Sequence, residues 1–353
     1  MPILDFNNKK EVEEYNHFLH SYSFMSFMQD LKWGKVKNNW SQEAVYLKRD
    51  GKIYAAMMIL IQKLPHMNVS FMYAPRGPVC DVYDIDTVNA LVKEAEPIAK
   101  KYNAYVFKFD PQVVYDDKLD NLYKNAGYKT SGKNPNPDDV IQPLNDAVLY
   151  LEGKTEEELM KSFAEKTRYN IRLSGRKGVT VRYSRNKEDL KTFYNIYKVT
   201  TIRDKIGCRP YEYFERMLDA YNEDELRIYI VEHDGDKLSA AIATCYGNEL
   251  FYVYGASSNE KRNLMPNYAM QMAMIRWGIE RKCKTYNFGG IIHLDQNDGL
   301  FKFKMGFCRD EGLETYIGEF SKVYKPATFF AVTKLLPIKK KIERKIRKSR
   351  KSK

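Results

Sequence analysis

Four stretches of the chain carry residue types at spacings that could do chemistry. In Gln29 to Trp40, Lys35 and Lys37 lie among Trp33 and Trp40. Aromatic faces interleaved with cations suit a nucleotide or sugar-phosphate ligand, unless the tryptophans are simply core. Asp110 ends the apolar run Tyr105 to Phe109. A carboxylate at the C-terminal end of a buried strand is placed like a site residue, or else caps the following turn. From Lys166 to Lys177 basic residues recur at helical spacing (Lys166, Arg168, Arg172, Arg176), which would grip phosphates or RNA, or merely solvate a surface. In the fourth stretch, Tyr286 to Gly290 ends in a Gly-Gly bend, and Asp298 can N-cap a short helix whose apolar side is Leu300, Phe303 and Phe307. Lys304 then projects from a packed turn beside that bend. Held so, it could stabilise a developing oxyanion; on an ordinary amphipathic turn it would be a surface lysine.

Other chemistries lack their residues. There is no phosphate-binding P-loop, no dinucleotide fingerprint, no H-E-x-x-H and no G-x-S-x-G. His17 and His20 lie on one amphipathic segment, and His66, His233 and His293 are isolated, so no histidine is marked as catalytic. The five cysteines (Cys80, Cys208, Cys245, Cys283, Cys308) are scattered without a C-x-x-C pair and read as reduced core thiols, with neither zinc nor disulfides.

The elements that must position these residues form an internal repeat. Val45 to Gly51 and Ile53 to Ile61 read as strands around an Asp-Gly hairpin turn, followed by a strand at Val69 to Ala74, a helix over Asp86 to Tyr102 and a strand at Ala104 to Phe109. The same order returns as Leu226 to Glu232, the Asp234-Gly235 turn, Leu238 to Tyr246, Leu250 to Gly255, Pro266 to Arg281 and Thr285 to Phe288. Asp50 to Asp234, Tyr73 to Tyr254 and Phe109 to Phe288 are offset by 184, 181 and 179 residues. Three matches in order argue for duplication of an α/β (α+β) unit. Helices precede each hairpin (Lys9 to His20; Glu188 to Ile202 and Pro210 to Tyr221), and Ser131 to Pro143 is a linker. By analogy, this is the element order of the N-acetyltransferase-like (GNAT) fold. A CoA enzyme of that fold needs a Gly-rich nest of N–H groups at a helix N-terminus. The corresponding segments, Ala74 to Val79 with two prolines and Gly255 to Arg262 with a single glycine, do not offer one.

The 353 residues suit two domains, and 44% hydrophobic with 14% aromatic residues can fill their cores. Apolar runs such as Ala55 to Ile61 fall short of the ~18 residues that span a bilayer, and the N-terminus does not read as a signal peptide, so a cytoplasmic protein is expected. The net charge of +12 is uneven: Ile338 to Lys353 holds ten basic residues and one acid, leaving +3 elsewhere. Such a tail suits anionic lipid or RNA phosphates, or is solvated and idle.

Taken together, Gln29-Asp30, Trp33 to Trp40, Phe109-Asp110-Pro111, Lys166-x-Arg168, Arg209-Pro210 to Met217, Gly289-Gly290 and Phe303-Lys304 resemble the Fem (FemABX) family, in particular its FemX branch. These are non-ribosomal transferases that use aminoacyl-tRNA to build the side chains of bacterial peptidoglycan. The resemblance runs from Met1 to about Lys325 and includes the absence of a coiled-coil arm. It implies two GNAT-like domains: residues 1–145 with 313–336, where Leu313 to Tyr324 rejoins the first half, and residues 146–312, with 337–353 as a basic tail. It implies transfer of alanine, serine or glycine to the lysine ε-amine of a muramyl-pentapeptide, carried on UDP (UDP-MurNAc-pentapeptide) or on lipid (lipid II). It implies aminoacyl-tRNA as co-substrate, no cofactor or metal, and a monomer that could touch the membrane through its tail. Residue by residue, Lys37 and Arg209 match positions that hold the acceptor's phosphates, and Tyr105, Tyr213 and Tyr254 match its tyrosine contacts. Asp110 matches the site carboxylate, and Phe303 and Lys304 match the pair facing the aminoacyl end.

The chemistry is consistent with this set. An attacking lysine amine must first be neutral, which at pH 7 costs about 4.6 kcal/mol from a pKa near 10.4. Asp110 is expected to accept that proton and Lys304 to donate to the oxyanion. Because the tRNA ester is already activated, no nucleophilic residue is required. Two other readings remain open: an acyl-CoA-dependent N-acyltransferase, and a non-catalytic RNA-binding protein relying on the tail and Lys166 to Lys177.

Overall fold

The computed structural model describes residues 2–23, 25–65, 67–136 and 139–335; His66, two residues of the linker and the basic run 337–353 lie outside these. The first half runs α1 (Lys9–Ser21), α2 (Leu31–Val36), β1 (Ser41–Arg49), β2 (Lys52–Lys63), β3 (Ser70–Ala74), α3 (Ile85–Glu94), α4 (Glu96–Lys101), β4 (Ala104–Phe109), α5 (Asp117–Asn125) and β5 (Lys129–Thr130). The second runs β6 (Asn145–Tyr150), α6 (Glu156–Ser162), α7 (Glu165–Arg176), β7 (Thr180–Ser184), α8 (Lys187–Asp204), α9 (Tyr211–Ala220), β8 (Leu226–His233), β9 (Asp236–Tyr246), β10 (Glu249–Ser257), α10 (Pro266–Glu280), β11 (Thr285–Gly290) and α11 (Gly299–Cys308). It ends with β12 (Leu313–Thr315), β13 (Phe320–Val323) and α12 (Pro326–Phe330).

The two hairpin turns are built alike. Asp50 and Gly51 have φ of 50° and 77°, and Asp234 and Gly235 have 50° and 85°. Positive φ at both central residues is the twist-matched two-residue turn that Asp-Gly favours. The helix expected over Asp86 to Tyr102 is instead two. Pro97 has no N–H to give the carbonyl of Lys93, so the chain breaks at Ala95 and restarts as α4.

Two sheets result, in the orders β1-β2-β3-β4-β13-β5 and β12-β6-β11-β10-β9-β8-β7. Each is antiparallel except for one parallel pair, β3 with β4 and β10 with β11. The segment expected to rejoin the first half does so only in part. Phe320 to Val323 inserts between β4 and β5, whereas Leu313 to Thr315 pairs with β6 at the edge of the second sheet.

Both sheets are covered on both faces, which their central strands record. In β2, Ala56, Met58 and Leu60 face one core while Ala55, Met57, Ile59 and Ile61 face another. In β9, Ala240 and Ile242 face the first of these, and Ala241, Ala243 and Cys245 a further one. The shared middle core mixes Tyr15, Trp33 and Met58 of the first half with Phe193, Phe214 and Ile228 of the second. This places the sheets, and the site residues on them, in one packed body. The parallel pairs differ at their open ends. β3 and β4 stay in register to Ala74 opposite Phe109, but β10 and β11 part after Phe251 opposite Asn287. No helix among the described residues is long and apolar enough to cross a membrane.

Candidate active site

One group of expected residues forms a cluster across the halves. Asp30 N-caps α2 through the Lys32 N–H at 2.7 Å, and Lys37 is the residue that ends that helix. Its ammonium lies 5.0 Å from the Trp33 ring centre and 5.3 Å from that of Tyr213 on α9. The guanidinium of Arg209 is 5.2 Å from the same Tyr213 ring, and the Tyr254 hydroxyl of β10 donates to the Tyr213 hydroxyl at 3.2 Å. Burial, with Arg209 nearby, lowers the Lys37 pKa to about 8. Two cations are thus set on one aromatic face, Lys37 partly buried and Arg209 open to solvent. Trp33 is thus both core and platform. Trp40 instead packs on Phe71 at 6.0 Å.

Tyr105 is placed by an irregularity. Ser70 pairs with Ala104 but Phe71 with Val106, so Tyr105 has no opposite residue on β3, and its ring packs 6.4 Å from Phe71. The tyrosine is buried. Farther along the same strand pair, Asp110 is 1% exposed. Its Oδ1 accepts the Arg76 N–H at 2.8 Å and its Oδ2 the Tyr73 hydroxyl at 3.0 Å, with an Arg76 guanidinium nitrogen at 3.9 Å. Asp110 therefore holds the turn after β3 as well as standing at the strand end. Burial outweighs these partners and raises its pKa to about 6, where a carboxylate can exchange a proton near neutrality. Gln29 steadies the same turn from behind, donating to the Pro75 carbonyl at 2.8 Å.

Phe303 and Lys304, adjacent on α11, go separate ways. Asp298 caps the helix through the Phe301 N–H at 2.8 Å, as its position suggested. Phe303 packs edge-on against Tyr268 and lines a cleft of about 510 Å³ with Tyr252, Gly255, Arg203, Arg262 and Leu300, where β10 leaves β11. Leu300, expected on the apolar side, is 55% exposed at this cleft. Lys304 is buried, and its Nζ donates to the carbonyls of Gly289 at 3.0 Å and Gly290 at 2.8 Å. The surface-lysine reading is therefore wrong. Burial lowers its pKa to about 8, opposed by Asp146 and the Cys308 thiol. At pH 7 it keeps its proton, with one of three N–H donors unspent on those carbonyls.

Between Asp110 and Lys304 lies a polar network that the sequence motifs did not reveal. Arg76, at φ 55°, stacks its guanidinium 5.2 Å over the Tyr316 ring. The Tyr316 hydroxyl is 3.4 Å from both Gln112 Nε2 and Asn287 Nδ2. Asn287 also donates to Asp146 at 2.9 Å, and Gln112 to Glu249 at 2.6 Å. Glu249 is pushed up to about 7 by burial, and Asp146 is raised by the same cause. One signal was available: Asn287 is an amide between Tyr286 and Phe288 on a buried strand.

The remaining expectations divide. Arg168 turns inward and donates to the Phe163 and Lys161 carbonyls at the end of α6, while Lys166, Arg172 and Arg176 are exposed. Cys208 is exposed, contrary to the core-thiol reading; Cys245 and Cys283 are buried with sulfurs 3.4 Å apart. Gly255 to Arg262 leads to α10, which opens on Pro266 without a side-chain cap.

A duplicated α/β unit, with one parallel strand pair in each sheet and the second pair splitting at a cleft, defines a tandem N-acetyltransferase-like fold. A tandem GNAT protein from the clavulanic acid pathway shares the fold at a TM-score of 0.54 and 9% identity, over 91% of this chain and 97% of its own. The chain belongs to the FemAB family, whose model matches residues 11–237 and 229–336. It is 37% identical to the UDP-N-acetylmuramoylpentapeptide-lysine N(6)-alanyltransferase of Weissella viridescens, over 95% of this chain and all of that one. It is 28% identical to the lipid II:glycine glycyltransferase of Staphylococcus aureus, over 95% and 98%. The crystal structure of FemX superposes with a TM-score of 0.84 at 26% identity, covering 95% of this chain and 100% of that one.

Proposed function

We propose that this protein transfers an amino acid from aminoacyl-tRNA to the lysine ε-amine of a peptidoglycan-precursor pentapeptide, in the synthesis of interpeptide bridges. The observation that carries the reading is the end-to-end match to a pentapeptide-lysine alanyltransferase, and the geometry supplies roles for it. Lys37 and Arg209 hold the acceptor's phosphates, with Tyr105, Tyr213 and Tyr254 as its aromatic contacts. The neutral ε-amine attacks the ester carbonyl, a C–N bond forms, and the C–O bond to the tRNA ribose breaks. Asp110, at a pKa of about 6, takes the proton the amine sheds as the C–N bond forms and returns it to the departing ribose oxygen. Lys304 donates its remaining N–H to the oxyanion, and Phe303 shapes the cleft for the aminoacyl end. No cofactor enters this scheme.

The protein is proposed to act as a monomer inside the cell. The basic run Lys339 to Lys353 would add attraction to anionic lipid, worth ~1 kcal/mol per cation near the surface. The test is transfer of labelled alanine, serine or glycine from charged tRNA to UDP-MurNAc-pentapeptide, with lipid II in parallel and acyl-CoA as an alternative donor. Transfer from tRNA to either acceptor supports the reading and chooses the carrier. Transfer from acyl-CoA only, or salt-steep RNA binding without turnover, would overturn it.

A further inference from the structure

Lys304 takes its direction from the Gly289–Gly290 bend, so whatever shapes the bend aims the lysine. A lysine stem is long and flexible, and two fixed acceptors are what hold this one. The bend is a bulge. On β6, Val148 faces Asn287 and Asp146 faces Gly290, so two residues lie between the partners on β11 and one between those on β6. Bulges of this kind re-aim groups beside active sites.

Asn287 secures the bulge. It is fully buried on β11 between Tyr286 and Phe288, and its Oδ1 accepts the Gly289 N–H at 2.7 Å. Gly289 itself has φ 76°, and a Cβ there would lie 4.0 Å from Lys304 Nζ. The other end of the amide donates to Asp146 at 2.9 Å and approaches the Tyr316 hydroxyl at 3.4 Å. A carboxylate accepts only, so Asp146 decides which end of the amide meets Gly289.

We propose that Asn287 is a positioning residue for transfer: its carboxamide, oriented by Asp146 and Tyr316, sets the bulge whose two carbonyls aim the Lys304 ammonium. This rests on the transferase reading above, in which Lys304 meets the oxyanion. Asn287 is fully buried and acts through Lys304. The groups facing Lys304 are the carbonyls of Gly289 and Gly290, Asp146 from β6 and the Cys308 thiol of its own helix; Arg76 faces Asp146 from the first domain.

The test compares full-length wild type, Asn287→Ala, Asn287→Asp, Asp146→Asn and the double variant Asn287→Asp/Asp146→Asn in the tRNA-dependent transfer assay. Asn287→Ala should lower kcat ~10- to 100-fold, the scale of a misplaced catalytic group, with acceptor KM within about threefold because Lys37 and Arg209 are untouched. The alkaline fall of kcat should shift to lower pH as the ammonium loses its fixed acceptors. Asn287→Asp sets two carboxylates face to face and should fail similarly. The double variant exchanges donor and acceptor across the same bond, so it should recover kcat to within about fivefold of wild type. A merely structural role predicts lower thermal stability with the pH profile of kcat unchanged in every variant. Wild-type kcat in Asn287→Ala, or a double variant no better than the singles, overturns the proposal. Should Asn287→Ala not fold, the charge-conserving double variant decides. A wild-type enzyme that transfers nothing would instead sink the transferase reading, and this inference with it.

Discussion

Lys37 and Arg209 stand 172 positions apart, yet their charged groups lie 5.3 and 5.2 Å from the centre of one ring, that of Tyr213. Neither half of the chain brings the two cations together alone. Because the Lys37 pKa is lowered to about 8, its charge is lost as pH rises through 8, well below the usual lysine range. The expected outcome is that kcat/KM for the acceptor falls above that pH. Lys37→Met should raise acceptor KM about tenfold or more, the worth of one charge-assisted hydrogen bond, with kcat changed little. The sign for stability runs the other way. The folded state binds fewer protons than the unfolded one from about 8 upward, so the charged lysine costs stability at pH 7, and thermal melts of Lys37→Met should show no loss.

Lys304→Ala should lower the transfer rate by ~10² to 10³ while acceptor affinity, measured calorimetrically, stays near wild type. An unchanged rate removes Lys304 from the mechanism. The ammonium is already held by two carbonyls, and the planar fork of arginine aims its donors differently, so Lys304→Arg should not restore the rate.

Asp110→Asn separates activity from stability. A carboxylate whose folded pKa is raised to about 6 from 3.8 binds more protons folded than unfolded across that window, so its contribution is favourable below it and lost as pH rises through it. At pH 7 the buried charge weakens the fold, and Asn can still accept the Arg76 N–H. The variant should melt no lower than wild type at pH 7 yet turn over far more slowly, with a smaller change in affinity. A wild-type rate would end the proton-acceptor assignment.

What the sequence discloses of all this follows from chain distance. The Asp-Gly turns are legible because their conformation is local, and so is Asp110, an acid at the end of an apolar run. The break at Ala95 was equally readable in Pro97, whose missing N–H outweighs the apolar periodicity around it. The network between Asp110 and Lys304 is not local: Asn287 meets Asp146 across 141 residues and Gln112 meets Glu249 across 137. Lys304 is legible in place but not in state. Its burial depends on a bulge whose partner strand, β6, carries no turn signal of its own.

The closing strand gives the last expected outcome. Phe320 on β13 is fully buried, stacks on Tyr123 with centroids 3.8 Å apart and lies 5.7 Å from Phe109, the residue before Asp110. Leu313 on β12 is only partly buried at the edge of the other sheet. Phe320→Ala should cost ~3–5 kcal/mol and raise amide exchange first in β4 and β5, whereas Leu313→Ala should cost ~1 kcal/mol or less and spare them. Because β4 carries both Tyr105 and the approach to Asp110, the Phe320 variant should also lose acceptor affinity before it unfolds. Equal costs at the two positions would mean that β13 does not hold the first sheet closed.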